Sequence, residues 1–272
     1  MNSSEPTTAP PGNRRWIKRA VFGAIAAVVL FFGAVLLYAK VINDSPDELG
    51  TSDLNAALSI DAESSSADPT PTDPPPAEST TPETSVTGSV PPVTEPVPAG
   101  TGSSWTVTDA SELGYRIKEV LFGVDTEAVG RTNQITGTMT LDGTTLTAAE
   151  FTVDVTTISS DESRRDGQFH GRIMSTDEFP TATFVLSAPV ELGVESAEGA
   201  AVTAAAAGDL TLRGVTNSVT FELTAKQDNG KIGVLGNIPV VFADYEIANP
   251  STGGITTEDN GLLEFVLVFE PV

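Results

Sequence analysis

Three patterns of hydrophobic and polar positions follow one another along the chain. Residues 20–39, AVFGAIAAVVLFFGAVLLYA, are consecutive positions without a charge. Wound as a helix rising 1.5 Å per residue, they span about 30 Å, the apolar thickness of a bilayer. The pattern then collapses. Residues 44–103 carry eleven prolines and many Ser, Thr, Asp and Glu, with no Lys, Arg or aromatic residue. Such a stretch buries too little apolar surface to offset the entropy of ordering it, so residues 40–103 read as a disordered, partly polyproline II stalk. Only Ala56–Ile60 hints at a helical turn. From residue 104 to 272 the aromatics return, with nine of the twelve phenylalanines.

In this last region the period is two. In AEFTVDVTT, Phe151, Val153 and Val155 share one face while Glu150, Thr152 and Asp154 share the other, which predicts a half-buried strand. Asp142-Gly143 between alternating runs predicts a hairpin, because a type I′ turn needs positive φ. GDLTLRGVTNSVTFELTAKQDNGKIGVLG turns around Gly214–Asn217 and again around Asp228–Gly230. TATFVLSAPVEL and LLEFVLVFE supply further strands. About eight strands, interrupted only at Asp161–Asp177, predict an all-β sandwich or barrel. Closure is favoured because it removes unpaired edges. An eight-stranded barrel is wide enough to be filled by side chains or to hold one small apolar ligand.

Charge gives the apolar run a direction. Before residue 41 stand Arg14, Arg15, Lys18, Arg19 and Lys40 against one acid, Glu5, whereas Asp44, Asp47 and Glu48 follow the run. The positive-inside rule then places residues 1–19 in the cytoplasm as a tail, 20–39 across the membrane, and the rest outside. Trp16 and Tyr38 sit near the two ends, where amphipathic rings favour headgroups. A cleaved signal peptide is the rival, but its apolar core is usually shorter, about 7–15 residues. The expectation is a single-pass membrane protein with its barrel in the extracytoplasmic cell envelope. The Gly23-x-x-x-Ala27 spacing permits helix pairing but does not by itself support a homodimer. A net charge of −23 argues against nucleic-acid partners.

Candidate chemistry is sparse. The absence of cysteine excludes disulfides, thiolate zinc sites and cysteine nucleophiles. There is no G-x-S-x-G elbow, H-E-x-x-H, P-loop or dinucleotide-binding glycine pattern, and no EF-hand loop. The expectation is a non-enzyme with no metal and no cofactor. The single histidine lies in RRDGQFHGRI, Arg164 to Ile173. His170 as a general base for a serine is the catalytic reading, and a plain surface polar residue is the favoured one.

The order of motifs resembles the YceI-like domain family of lipid or polyisoprenoid-binding proteins. WTVTDASELGYRIKEVLFG, beginning at Trp105, is followed by VGRTNQITGTMTLDG and FTVDVTTISSDESRRDGQF. TDEFPTATFVL, GDLTLRGVTNSVTFELTA and FADYEI then complete the series. The resemblance implies an eight-stranded antiparallel, lipocalin-like barrel with a short helical insertion and an isoprenoid-type chain in its interior. Many members carry R-D-x-H-L; here Arg165-Asp166 are followed by Gly167, Gln168 and Phe169, and the histidine is displaced to 170.

The inward sets give the candidate ligand-binding residues of lumen and cap: Tyr115, Ile117, Phe151, Val153, Val155, Phe184, Leu186, Val219, Phe221 and Leu223, with Phe169 and Ile173 from the helical cap. Arg165 and Asp166 are expected to hold that cap through polar contacts. The leading reading is a membrane-tethered lipid-binding protein. The alternative is a non-enzymatic cell-envelope interaction domain with a filled barrel.

Overall fold

Period-two alternation becomes one antiparallel sheet of twelve strands in the computed structural model, which describes residues 14–37, 45–64, 102–192 and 199–272. The strands are β1 (Ser103–Val107), β2 (Glu112–Leu121), β3 (Val124–Thr132), β4 (Ile135–Asp142), β5 (Thr145–Asp154) and β6 (Thr181–Leu186). They continue as β7 (Val190–Glu191), β8 (Ala201–Leu212), β9 (Val215–Asp228), β10 (Lys231–Val241), β11 (Ile255–Thr257) and β12 (Asn260–Pro271).

Eight of them, β1-β4-β5-β6-β8-β9-β10-β12, close into a barrel where β12 returns to β1. Closure is divided along β12. Its C-terminal end pairs with β1, as in Trp105↔Pro271, and its N-terminal half pairs with β2, from Leu262↔Arg116 to Val266↔Glu112. The β2–β3 hairpin therefore extends the wall at one end of the barrel, the mouth. Between β5 and β6 the chain leaves the sheet for a short α-helix, Ser163–Gln168, and one π-helical turn, Phe169–Ile173. The turn expected at Gly214–Asn217 lies earlier, at Arg213-Gly214, because those two residues take the positive φ values of 50° and 76° that a tight hairpin demands.

Wide aromatics fit the narrow barrel because glycines face them. Tyr115 is paired with Gly130 and Phe265 with Gly236 across neighbouring strands. A Cβ on Gly130 would lie 2.5 Å from the Tyr115 ring, and one on Gly236 2.4 Å from the Phe265 ring. Each ring thus lies flat against the wall instead of projecting into the centre.

The stalk expectation fails over residues 45–64. This segment docks on the outer wall, first as an extended strap and then as a helix, Thr51–Ser64. Asp53 Oδ2 accepts from the Gly50 N–H at 2.8 Å near the start of the helix. Leu49, Leu54, Ala57 and Leu58 form a second core with Val266 and Val268 on the outward face of β12. Gly233 makes room, since a Cβ there would lie 2.5 Å from Leu54 Cδ1. The acid- and proline-rich composition of the wider window concealed this short apolar stripe, although its i, i+4 leucines are a helical signal. The remaining stalk positions 40–44 and 65–101 lie outside the described residues, as do 1–13 of the tail.

A charged clasp fixes the strap. Glu264, on the outward face of β12, is fully buried. Arg116 donates from Nε and Nη2 to its two oxygens, each at 3.2 Å, and Arg131 Nη2 donates to Oε1 at 2.9 Å. The strap supplies the remaining partners. Leu49 N–H donates to Glu264 Oε2 at 3.3 Å, and the carbonyls of Pro46 and Asp47 accept from Arg116 and Arg131 at 2.7 and 2.6 Å. Burial works against the Arg116 charge, but its hydrogen bonds to Glu264 and Glu127 outweigh it and hold the guanidinium above its usual range.

Positions 20–37 of the N-terminal apolar run lie in a helix, Arg14–Leu37, whose Phe22, Val29 and Leu30 are exposed, and 38–39 lie outside the described residues. Among the described residues no helix is long and apolar enough to cross a membrane.

Candidate functional site

The inward faces of the strands enclose a cavity of about 120 Å³ with an almost wholly apolar lining. Nine of the twelve candidate residues line it: Tyr115, Ile117, Phe151, Val153, Val155, Phe169, Ile173, Phe184 and Phe221. Leu186, Val219 and Leu223 do not. They belong to the same core, Leu223 buried and the other two packed against it, but the cavity does not reach them. The alternation assigned their face correctly; the depth of the open space is a property of how neighbouring rings pack.

Sequence reasoning missed a larger share of the lining. Ile238, Val240 and Phe242 from β10 and its end, and Leu263, Phe265 and Leu267 from β12, also face the cavity. The same period-two signal was available in NIPVVF and LLEFVLVFE. In the latter, Val266 and Val268 interrupt the alternation because the outer face of β12 is itself buried under the strap and helix.

The lumen is organised by aromatic contacts. Phe151 stacks on Phe184 at 6.1 Å, Phe184 meets Phe221 edge-on at 5.6 Å, and Phe221 meets Phe265 at 5.9 Å. At the mouth, Phe169 stacks on Tyr115 with centroids 4.8 Å apart and planes 16° from parallel. Burial pushes the Tyr115 hydroxyl well above its ordinary pKa, keeping it neutral.

Polar contacts hold the cap. Asp166 Oδ1 accepts from Ser160 N–H at 2.9 Å and from its hydroxyl at 2.7 Å, and Arg165 pairs with Asp161. The π-turn follows, with Met174 N–H donating to the Phe169 carbonyl at 2.8 Å. His170 sits beside Phe169, its buried Nε2 without a hydrogen-bond partner among the described residues. No serine hydroxyl among the described residues lies within hydrogen-bond reach of that nitrogen. Among the described residues no three acidic or histidine side chains gather where a metal ion could bind.

Outside the cap lies a second hollow, of about 450 Å³, with mixed walls. Glu119, Glu162, Arg164, Arg165 and Gln168 supply its polar side, and Leu121, Phe122, Ile255 and Ile173 its apolar side. Ile173 lines both spaces, so this vestibule abuts the lumen. Burial raises the Glu119 carboxyl above its usual range, opposed by the Arg165 charge and reinforced by Asp161.

A barrel closed through β12, with a helical cap inserted between β5 and β6, matches the family model described as YceI-like domain over residues 105–269. The chain belongs to the YceI-like domain family. Among solved structures, a polyisoprenoid binding domain from Saccharophagus degradans implicated in plant cell wall breakdown aligns with a TM-score of 0.50. It is 18% identical, over 62% of this chain and 99% of that chain. BcnA of Burkholderia cenocepacia aligns at 22% identity and a TM-score of 0.48, over 60% of this chain and 98% of its own. The Campylobacter jejuni YCEI protein aligns at 12% identity and 0.39, over 51% and 81%. At these identities the likeness to the Saccharophagus domain bears on the YceI fold alone. No curated protein matches the sequence.

Proposed function

We propose that this chain is a membrane-tethered, extracytoplasmic lipid-binding protein that takes an isoprenoid or similar apolar chain into its barrel. The observation that carries the reading is the lumen: a cavity walled almost entirely by apolar side chains, capped by Phe169, and abutting a mixed vestibule. A hydrocarbon gains about 0.8 kcal/mol for each CH₂ it buries, so an apolar wall binds it without a charged anchor. The Saccharophagus domain, named for polyisoprenoid binding, supports the same ligand class. The tether rests on the uncharged run 20–39 and the basic cluster before it.

Size sets the condition on this function. Apolar cavities near 150 Å³ accept a benzene-sized group, so about 120 Å³ accommodates one isoprene-sized unit. A longer chain has to turn the lumen phenylalanines aside or lie partly in the vestibule. The same small volume favours the second reading, a filled barrel serving as a cell-envelope interaction domain. Organic extraction of the purified chain followed by lipid mass spectrometry separates the two. A co-purifying polyprenyl lipid, or uptake of added polyprenol, is the expected result. Repeated absence of both would leave the filled-barrel reading.

A further inference from the structure

The tip of the β2–β3 hairpin breaks a local rule. Its two turn residues, Phe122 and Gly123, have φ of 48° and 88°. Such turns favour Asn, Asp or Gly at the first position, and a phenylalanine there is strained. The β9–β10 tip carries the expected Asn229-Gly230. Phe122 is also 48% exposed. A strained, exposed aromatic stabilises neither turn nor core, which directs attention to something outside the domain.

Its neighbours identify that something. The ring of Phe31, in the Arg14–Leu37 helix, meets the Phe122 ring edge-on at 5.5 Å. Behind it, Gly254 gives way, since a Cβ there would lie 2.0 Å from the ring. At the start of the strap, the Ser45 hydroxyl donates to the Glu127 carbonyl at 2.5 Å. From Phe31 to Leu37 the helix rises about 9 Å. The ring contact therefore sets the tip level with Phe31, six residues before the helix end.

We infer that the β2–β3 tip seats Phe122 in the outer leaflet of the bilayer that the N-terminal helix crosses, placing the barrel mouth at the lipid surface. The inference rests on the membrane-anchor reading above. A depth of about 9 Å is that at which apolar faces lodge between headgroups and acyl chains. Asp125, exposed at the same tip, keeps the immersion shallow. The vestibule opens here: Leu121, Phe122 and Ile255 form its outer lip and Ile173 its inner one. An apolar chain leaving the leaflet passes along these side chains into the lumen. The proline-rich residues do not set this distance, because the elements flanking 65–101 both lie on the barrel. Only 38–44 separate helix from strap, a reach of about 25 Å when fully extended.

Because the chain has no cysteine, a single one can be labelled. The full chain carrying Asp125→Cys with an environment-sensitive fluorophore is reconstituted into phosphatidylcholine–phosphatidylglycerol vesicles containing doxyl-labelled lipid. The expected result is a blue shift and quenching, absent for the same label at Asn229→Cys, which lies at the opposite end of the barrel. Phe122→Asp should abolish the quenching. So should Phe122→Asn, which suits the turn and preserves the hairpin. Carbonate extraction separates the two levels of the argument. A chain that resists carbonate yet shows the 125 label as wet as the 229 label overturns the docked mouth and leaves the anchor standing. A chain released by carbonate overturns both.

Discussion

Phe169 lies flat on Tyr115, 4.8 Å between ring centroids, and so joins the helical cap to the barrel wall. Tyr115 can lie there only because its cross-strand partner is Gly130. The cap is thereby seated by an aromatic stack on the inside and by the Asp166–Ser160 hydrogen bonds on the outside.

Phe169→Ala should cost about 3–5 kcal/mol, the range for removing a buried phenylalanine, and should open the lumen to water. Phe169→Asp should abolish lipid loading, while His170→Ala should leave it nearly intact. Urea titration and lipid mass spectrometry on the three variants check this. Loss of loading in His170→Ala with Phe169→Asp unaffected would return attention to the imidazole.

Filling the cavity separates binding from folding. Ala182 lines the lumen opposite Val153, and Ala182→Phe places a ring of about the cavity's own size there. Overpacking costs about 1–3 kcal/mol, which leaves a folded barrel. The folded variant should no longer take up a fluorescent polyprenol. Undiminished uptake would mean that the ligand binds elsewhere.

Much of this architecture was legible in the residues, and the losses have physical causes. Alternation in AEFTVDVTT and TATFVL placed Phe151, Val153 and Phe184 inward, because a strand has only two faces. Phe169 and Ile173 were legible as a pair one helical turn apart. What alternation cannot convey is how far an open space runs along a face, which is why Leu223 is core without touching the cavity. The docked strap was hidden for a different reason: its partners are Arg116, Arg131 and Glu264, remote in sequence and ordinary as surface charges in isolation. Besides the Leu54/Leu58 spacing, the clue on the barrel side was FVLVF at 265–269, an unbroken apolar run that signals a strand covered on both sides.

Glu119 gives the vestibule a pH dependence. Its folded pKa is raised by burial, so between the unfolded value and that raised value the folded chain binds the proton more tightly. This contribution to stability is fully present below the unfolded pKa, about 4.3, and is lost as pH rises through the folded one. Glu119→Gln should therefore flatten the stability profile across that window and stabilise the domain at neutral pH. Thermal melts of the two proteins from pH 4 to 8 measure it; an unchanged profile would mean that another group controls the slope.

The clasp makes the sharpest stability prediction, because Glu264 is buried with two guanidinium groups. Glu264→Ala leaves the buried Arg116 without its main partner, a loss of about 3–5 kcal/mol for breaking such a pair from one side. Arg116→Met combined with Glu264→Leu should recover part of it, since no guanidinium at 116 is left facing an apolar site, while Arg131 keeps Glu112 and the Asp47 carbonyl. The strap should loosen in both variants, and further in the double one. In Glu264→Ala it loses the Leu49 contact but keeps Arg116 and Arg131 to hold the Pro46 and Asp47 carbonyls, whereas the double variant also gives up the Pro46 contact. Urea titrations together with amide exchange at 45–50 read the two effects separately. If the double variant is no more stable than Glu264→Ala, the cost comes from the lost strap and not from an unpaired charge.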